Sequence, residues 1–183
     1  MSRIKLPTKE ECIKILEENN VPKNIIEHCK AVNKVAVFLA KMLKEKGVSV
    51  SIELVDRASL LHDLDRVKSK DHSHGYITEE ILTKKGYAEL GRAIVGHRFT
   101  KVLDKNLTWE EKIINYADKR VREASIVSLS ERFDDLIKRH NVKPEERNHE
   151  AEKAFFELEK EIFKRIGILP NELKGQMEVE QDD

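Results

Sequence analysis

Apolar residues recur at spacings of three and four along most of this chain, and that period lays out a series of amphipathic helices. The first begins at TKEE, residues 8–11, where Thr8 as N-cap and Glu11 three residues on form a capping-box pattern ahead of Cys12, Ile13, Ile15 and Leu16. Pro22 suits the opening turn of a longer helix that runs to about residue 46 and stops at Gly47. A third helix, about 51–65, opens at Ser51 and buries Leu54, Val55, Ala58, Leu61 and Leu64. Two short helices, about 75–85 and 87–98, flank Gly86. TWEE at 108–111 repeats the capping pattern and starts a helix expected to run to about 140. Pro144 starts the last, to about 166, with Ala151, Phe155, Leu158, Ile162 and Ile166 on one stripe. No strand pattern or internal repeat interrupts the series, so the fold class is all-α. A single helical domain over 1–170 is expected, its last two helices folded into a C-terminal hairpin, followed by an acidic tail over 171–183 without fixed structure.

Several polar residues break the pattern by sitting on inward faces. His28 lies three after Ile25 and four before Val32 in the stripe that also carries Val35, Phe38, Leu39 and Met42. His62 stands four after Ala58 and seven after Val55, and its neighbour Asp63 is about 100° further round the helix end. Asp118 is flanked by Ile114, Val121 and Ser125 at minus four, plus three and plus seven. Burying such groups costs heavily unless they are paired or bind a metal. Imidazoles and carboxylates together suit a divalent transition ion such as Mn²⁺, Fe²⁺, Co²⁺, Ni²⁺ or Zn²⁺ better than Mg²⁺ or Ca²⁺, which prefer oxygen.

Composition narrows the choice of partner. Thirty-four basic residues balance thirty-four acidic ones over 183 residues, so net charge favours neither a nucleic acid nor an acidic membrane surface. The two cysteines, Cys12 and Cys29, form no CxxC pair, and the N-terminus has no signal-peptide run, which fits a cytoplasmic protein with reduced thiols. No segment is long and apolar enough to span a bilayer. GxGxxG, GxxxxGK[ST] and GxSxG patterns are missing, which argues against the commoner nucleotide-binding and serine-hydrolase routes.

The order His, then His-Asp, then Asp, each on its own helix, resembles the HD superfamily of metal-dependent phosphohydrolases over roughly residues 22–125. EHCKAVNKVA around His28 resembles that family's first histidine helix, ASLLHD its signature dyad, and NYADKRV its closing aspartate. The resemblance implies an all-α HD-type bundle in which His28, His62, Asp63 and Asp118 hold one metal. Members with two metals carry further histidines between the dyad and the last aspartate, and His74 in HGYI and His97 in IVGHR fall at similar places. Asp63 would then bridge two ions, with His72 an alternative to His74 in the same loop. Where many members continue the dyad with a small apolar residue, glycine and lysine, this chain has Leu64, Asp65 and Arg66, so Arg66 stands in the lysine's place. His97–Arg98 stands where dinuclear relatives often have paired histidines.

The expected function is hydrolysis of a phosphate ester, in a nucleotide or another small phosphorylated molecule, by a metal-activated water. Asp63, Arg66 and His97 are the expected catalytic residues, and Lys68, Lys70, Arg98, Lys101, Lys119 and Arg122 are further cations near the ligands in sequence. Two other classes compete: a non-catalytic regulatory domain that keeps the site to bind metal or nucleotide, and a helical interaction module whose last hairpin pairs with another chain, for instance as a homodimer.

Overall fold

A computed structural model describes residues 4–69 and 73–182. Its helices are α1 (Lys9–Glu18), α2 (Lys23–Glu45), α3 (Ile52–Leu61), α4 (Tyr76–Lys84), α5 (Ala88–Val95), α6 (Trp109–Lys119), α7 (Leu129–His140), α8 (His149–Ile166) and α9 (Leu173–Asp182). Short 3₁₀ turns cover Phe99–Leu103, Pro144–Glu146 and Pro170–Glu172. Among the described residues, the only strands are β1 (Val121–Arg122) and β2 (Ser125–Ile126), an antiparallel pair with Val121 opposite Ile126. The protein is all-α with this one small hairpin.

The capping boxes read at Thr8 and Thr108 both form: each threonine hydroxyl accepts from the backbone of the glutamate three residues on, whose carboxylate accepts the threonine N–H in return. Helix α2 lies against α3 and α6, with Val32, Val35, Leu39 and Leu43 fully buried between them. Asn33 fixes the α2–α3 register by donating from Nδ2 to Ser59 Oγ at 2.9 Å and to the Asp56 carbonyl at 2.8 Å. Helices α4 and α5 form a separate pair resting on α3 and α6. No helix among the described residues is long and apolar enough to cross a membrane.

Four sequence expectations need correction. The third helix ends at Leu61 rather than near 65, and tight turns carry the chain through residue 68. The helix expected over 108–140 is two helices, α6 and α7, separated by the β1–β2 hairpin. β-Branched Val121, Ile126 and Val127 favour extended backbone there, and Ser128 with Glu131 makes a third capping box that restarts the helix. Pro144 opens only a 3₁₀ turn, and Asn148 caps α8 instead. In place of the unstructured tail expected over 171–183, Leu173–Asp182 is helical and buries Leu173 and Met177, four apart on one face. His72 and Lys70 lie outside the described residues.

Candidate metal centre

Five separate parts of the chain bring the six candidate ligands together. His28 lies in the second turn of α2, His62 and Asp63 in the turn leaving α3, and Asp118 at the penultimate position of α6. His74 precedes α4, and His97 follows α5. All are buried except His74, which is partly exposed. The turn carrying His97 is held close to α6, because Gly96 has no side chain where a Cβ would stand 2.7 Å from Cβ and Cγ of Glu111.

The atoms form two groups. His28, His62 and Asp118 offer ligand atoms that all lie within 4.8 Å of one another, and so do Asp63, His74 and His97. In the first group, Asp118 Oδ1 is 3.2 Å from His28 Nε2 and 3.7 Å from His62 Nε2. In the second, His74 Nε2 is 3.2 Å from Asp63 Oδ1 and 2.9 Å from His97 Nε2. Asp63 joins the groups, with Oδ2 3.8 Å from His62 Nε2. Atoms sharing one ion at about 2.1 Å stand about 3.0–3.5 Å apart, so these separations need little adjustment around a cation.

Every one of these imidazoles is anchored through Nδ1. His28 Nδ1 is 2.8 Å from the Glu123 carbonyl, His62 Nδ1 is 2.8 Å from that of Ser59, and His97 Nδ1 is 2.5 Å from that of Ile94. His74 Nδ1 instead meets the Asp65 carboxylate at 2.7 Å. Acceptors on Nδ1 keep a proton there, which makes Nε2 the atom each ring turns to the centre, able to ligate once any proton on it is displaced. His62 Nε2 is buried with no hydrogen-bond partner, an unmet group that a metal ion would satisfy. His74 and His97 present Nε2 atoms to each other, an approach that requires a shared proton or a cation. On these observations the residues fit a divalent metal.

The electrostatics agree. Burial works to raise the Asp63 carboxyl, but charged His62 and the hydrogen bond from His74 outweigh it and hold the group below the ordinary carboxylate range. Asp118 is likewise held low against its burial, by the Lys119 ammonium, the hydrogen bond from His28 and the nearby charge of His62. Burial, and then the charges of His62 and His74, push His97 down to about 3 and keep it neutral. Ionised carboxylates and a neutral imidazole are the forms that ligate.

The centre lies in a cleft of about 440 Å³. Of the cations noted in the sequence, Arg66, Arg98 and Lys119 line it. Arg66 is exposed, and its backbone N–H bonds the Asp63 carbonyl at 3.0 Å. Arg98 stacks on Tyr76 at 4.6 Å, and Lys119 is buried against the Asp118 carboxylate. Lys68 turns away to Asn19 and Lys101 to Asp104, and Arg122 is not among the lining residues. Phe99, Phe133, Leu136 and Ile137 add apolar surface to the cleft's lining. Arg132 and Arg147, which also line the cleft, were missed in the sequence. Each serves a local ion pair, Arg132 with Asp135 and Arg147 with Glu152, and only tertiary packing turns α7 and α8 toward the centre. His140 stands at the exposed rim, and His149 is not among the lining residues.

A family model described as HD domain matches residues 25–134. The chain is 33% identical over 167 residues to an uncharacterized protein of Methanocaldococcus jannaschii, a match covering 84% of this chain and 95% of that one. It is 28% identical over 143 residues to a tRNA (cytidine(56)-2'-O)-methyltransferase of Picrophilus torridus, covering 70% of this chain and 40% of the relative. A like-named enzyme of Thermoplasma volcanium is 28% identical over 81 residues, 44% of this chain and 22% of the relative. No solved structure matches significantly.

Proposed function

Because the chain belongs to the HD-domain family of metal-dependent phosphohydrolases, we propose that it hydrolyses a phosphate ester of a nucleotide or another small phosphorylated molecule. The observation that carries this reading is the convergence of four Nδ1-anchored imidazoles and two ionised carboxylates, of which His28, His74, His97, Asp63 and Asp118 line one cleft and His62 is buried beside them.

His28, His62, Asp63 and Asp118 would hold one ion, and Asp63, His74 and His97 a second. The nitrogen and oxygen donors favour Mn²⁺, Fe²⁺, Co²⁺, Ni²⁺ or Zn²⁺. When bound, such an ion would lower the pKa of its water from about 15.7 toward neutrality and polarise the phosphoryl oxygen. Everything else falls to the chain's own side chains. Arg98 and Lys119, on the cleft wall, offer donors to phosphoryl oxygens as charge builds on them, and Arg66 adds a third cation from the rim. Lys119 already neutralises Asp118, so the centre can receive a substrate anion without uncompensated negative charge. Phe99, Phe133 and Ile137 exclude water and give the organic part of the ester an apolar surface.

The cleft volume falls within the range of small-ligand sites, and the net charge of zero favours no polyanion, so a small substrate is preferred over a nucleic acid. The two tRNA methyltransferase relatives make a nucleotide, free or at an RNA end, the first ester to try. The test is elemental analysis of the purified protein, then a phosphate-release screen over nucleotides and short phosphorylated RNAs with each ion supplied. Asp63→Ala should lose bound metal and lower turnover at least about 1,000-fold, since it removes a ligand of both ions. Release by Asp63→Ala at the parent's rate would sink the proposal.

A further inference from the structure

Asp65 stands where the resemblance leads one to expect glycine, and it is fully buried. Its two oxygens divide their work. Oδ1 accepts the Nδ1–H of His74 at 2.7 Å, and Oδ2 accepts the backbone N–H groups of Gly75 at 2.7 Å and Thr78 at 3.2 Å. Gly75 is the N-cap of α4, with φ of 85° and no side chain to cap the helix. Asp65 therefore caps α4 from a distant turn, and its negative charge suits the positive end of that helix.

The same carboxylate sets His74 apart from the other three histidines. Those give Nδ1 to main-chain carbonyls, whereas His74 has a charged acceptor. Asp63 and Asp65, separated only by buried Leu64, grip the ring from both sides, Asp63 at Nε2 and Asp65 at Nδ1. A carboxylate on the outer nitrogen fixes tautomer and ring orientation and makes the inner nitrogen a stronger ligand.

We propose that Asp65 is a positioning residue that orients His74, by holding its proton on Nδ1, to bind a second divalent transition-metal ion together with Asp63 and His97. This rests on the metal reading above, but not on any hydrolytic activity.

Asp65→Asn is the decisive variant. Its amide oxygen can still accept from Gly75 and Thr78, but its NH₂ then faces His74 Nδ1, driving the ring proton to Nε2 where the ion should bind. Equilibrium dialysis against Mn²⁺ should find two ions on the parent. Asp65→Asn should keep the tighter ion within about 3-fold and weaken the second by about 10–100-fold. Asp65→Asn combined with His74→Ala should be no weaker than His74→Ala alone. Unchanged binding of two ions by Asp65→Asn, a parent that holds only one, or a loss confined to melting temperature with metal affinity intact would each overturn the proposal. Should Asp65→Asn not fold, the zinc-loaded parent still decides, because its two-bond ¹H–¹⁵N spectrum must show His74 protonated at Nδ1, and protonation at Nε2 overturns it. A parent that binds two ions yet hydrolyses no ester sinks the hydrolase reading and leaves the role of Asp65 standing.

Discussion

The buried histidines differ in what they do with protons, and that difference sets a pH dependence. His97 is pushed down to about 3 by burial and by the charges of His62 and His74. His62 and His74 go the other way, since Asp63 for His62, and hydrogen bonds from Asp63 and Asp65 for His74, outweigh the opposing effect of burial. Without metal, His97 and the lowered carboxylates contribute stability that is lost as acid protonates them, from about pH 6.5 down to 3 for His97 and below about pH 4 for Asp63 and Asp118. His62 and His74 contribute stability present below about pH 6.5 and lost as pH rises through their raised folded values. A metal ion must displace those two protons, so its affinity rises with pH. Added Mn²⁺ or Zn²⁺ should therefore raise the melting temperature more at pH 8 than at pH 5.5, and an equal gain at both would count against ligation by His62 and His74. His28, His62, Asp63 and Asp118 were legible because each lies among apolar residues at helical spacing. The Nδ1 acceptors were not, since the Glu123 carbonyl is 95 positions from His28 and a main-chain group carries no sequence signal. Asp65 was visible as a departure, but its role needed α4 to be placed in space.

At the scale of elements, the helix starts at Thr8 and Thr108 were readable from their caps, while the same grammar in SLSE at 128–131 went unread inside an assumed longer helix. The hairpin hidden there matters to the site. Its turn holds Glu123 at φ of 57°, unusual for a side chain other than glycine, and aims that carbonyl at His28. The α5–α6 contact has a similar role for His97. Gly96→Ala would place a methyl 2.7 Å from Cβ and Cγ of Glu111, whose carboxylate is committed to the Thr108 cap, so neither side gives way easily. The substitution should cost about 1–3 kcal/mol in urea unfolding, by overpacking, and should weaken metal binding in the Asp63–His74–His97 group more than in the other. A variant as stable as the parent and with unchanged metal affinities would show that α5 and α6 separate without disturbing His97.

Across the whole molecule, one buried guanidinium joins the helix that carries Asp118 to chain that lies beyond the matched family region. Arg120, two residues after Asp118, donates from Nε to the Val127 carbonyl at 2.7 Å, from Nη1 to the Tyr116 hydroxyl and to Glu159 at 3.2 Å, and from Nη2 to the Pro170 carbonyl at 2.9 Å. Tyr116 in turn donates to Glu159 at 2.5 Å. The network crosses α6, the hairpin exit, α8 and the turn before α9, so these parts brace one another and should unfold together. Removing the guanidinium leaves two carbonyls without their donor and Glu159 without its countercharge, a loss on the scale of breaking a buried ion pair, about 3 kcal/mol. Arg120→Met, which keeps the apolar bulk beside Tyr116 and Phe163, should lower the unfolding free energy from urea titration by that amount while unfolding stays a single transition by both tryptophan fluorescence and circular dichroism. Trp109 reports on α6, and α8 and α9 contribute to the helical signal, so separation of the two curves in the parent would mean that the C-terminal helices fold independently of the core that carries the candidate ligands.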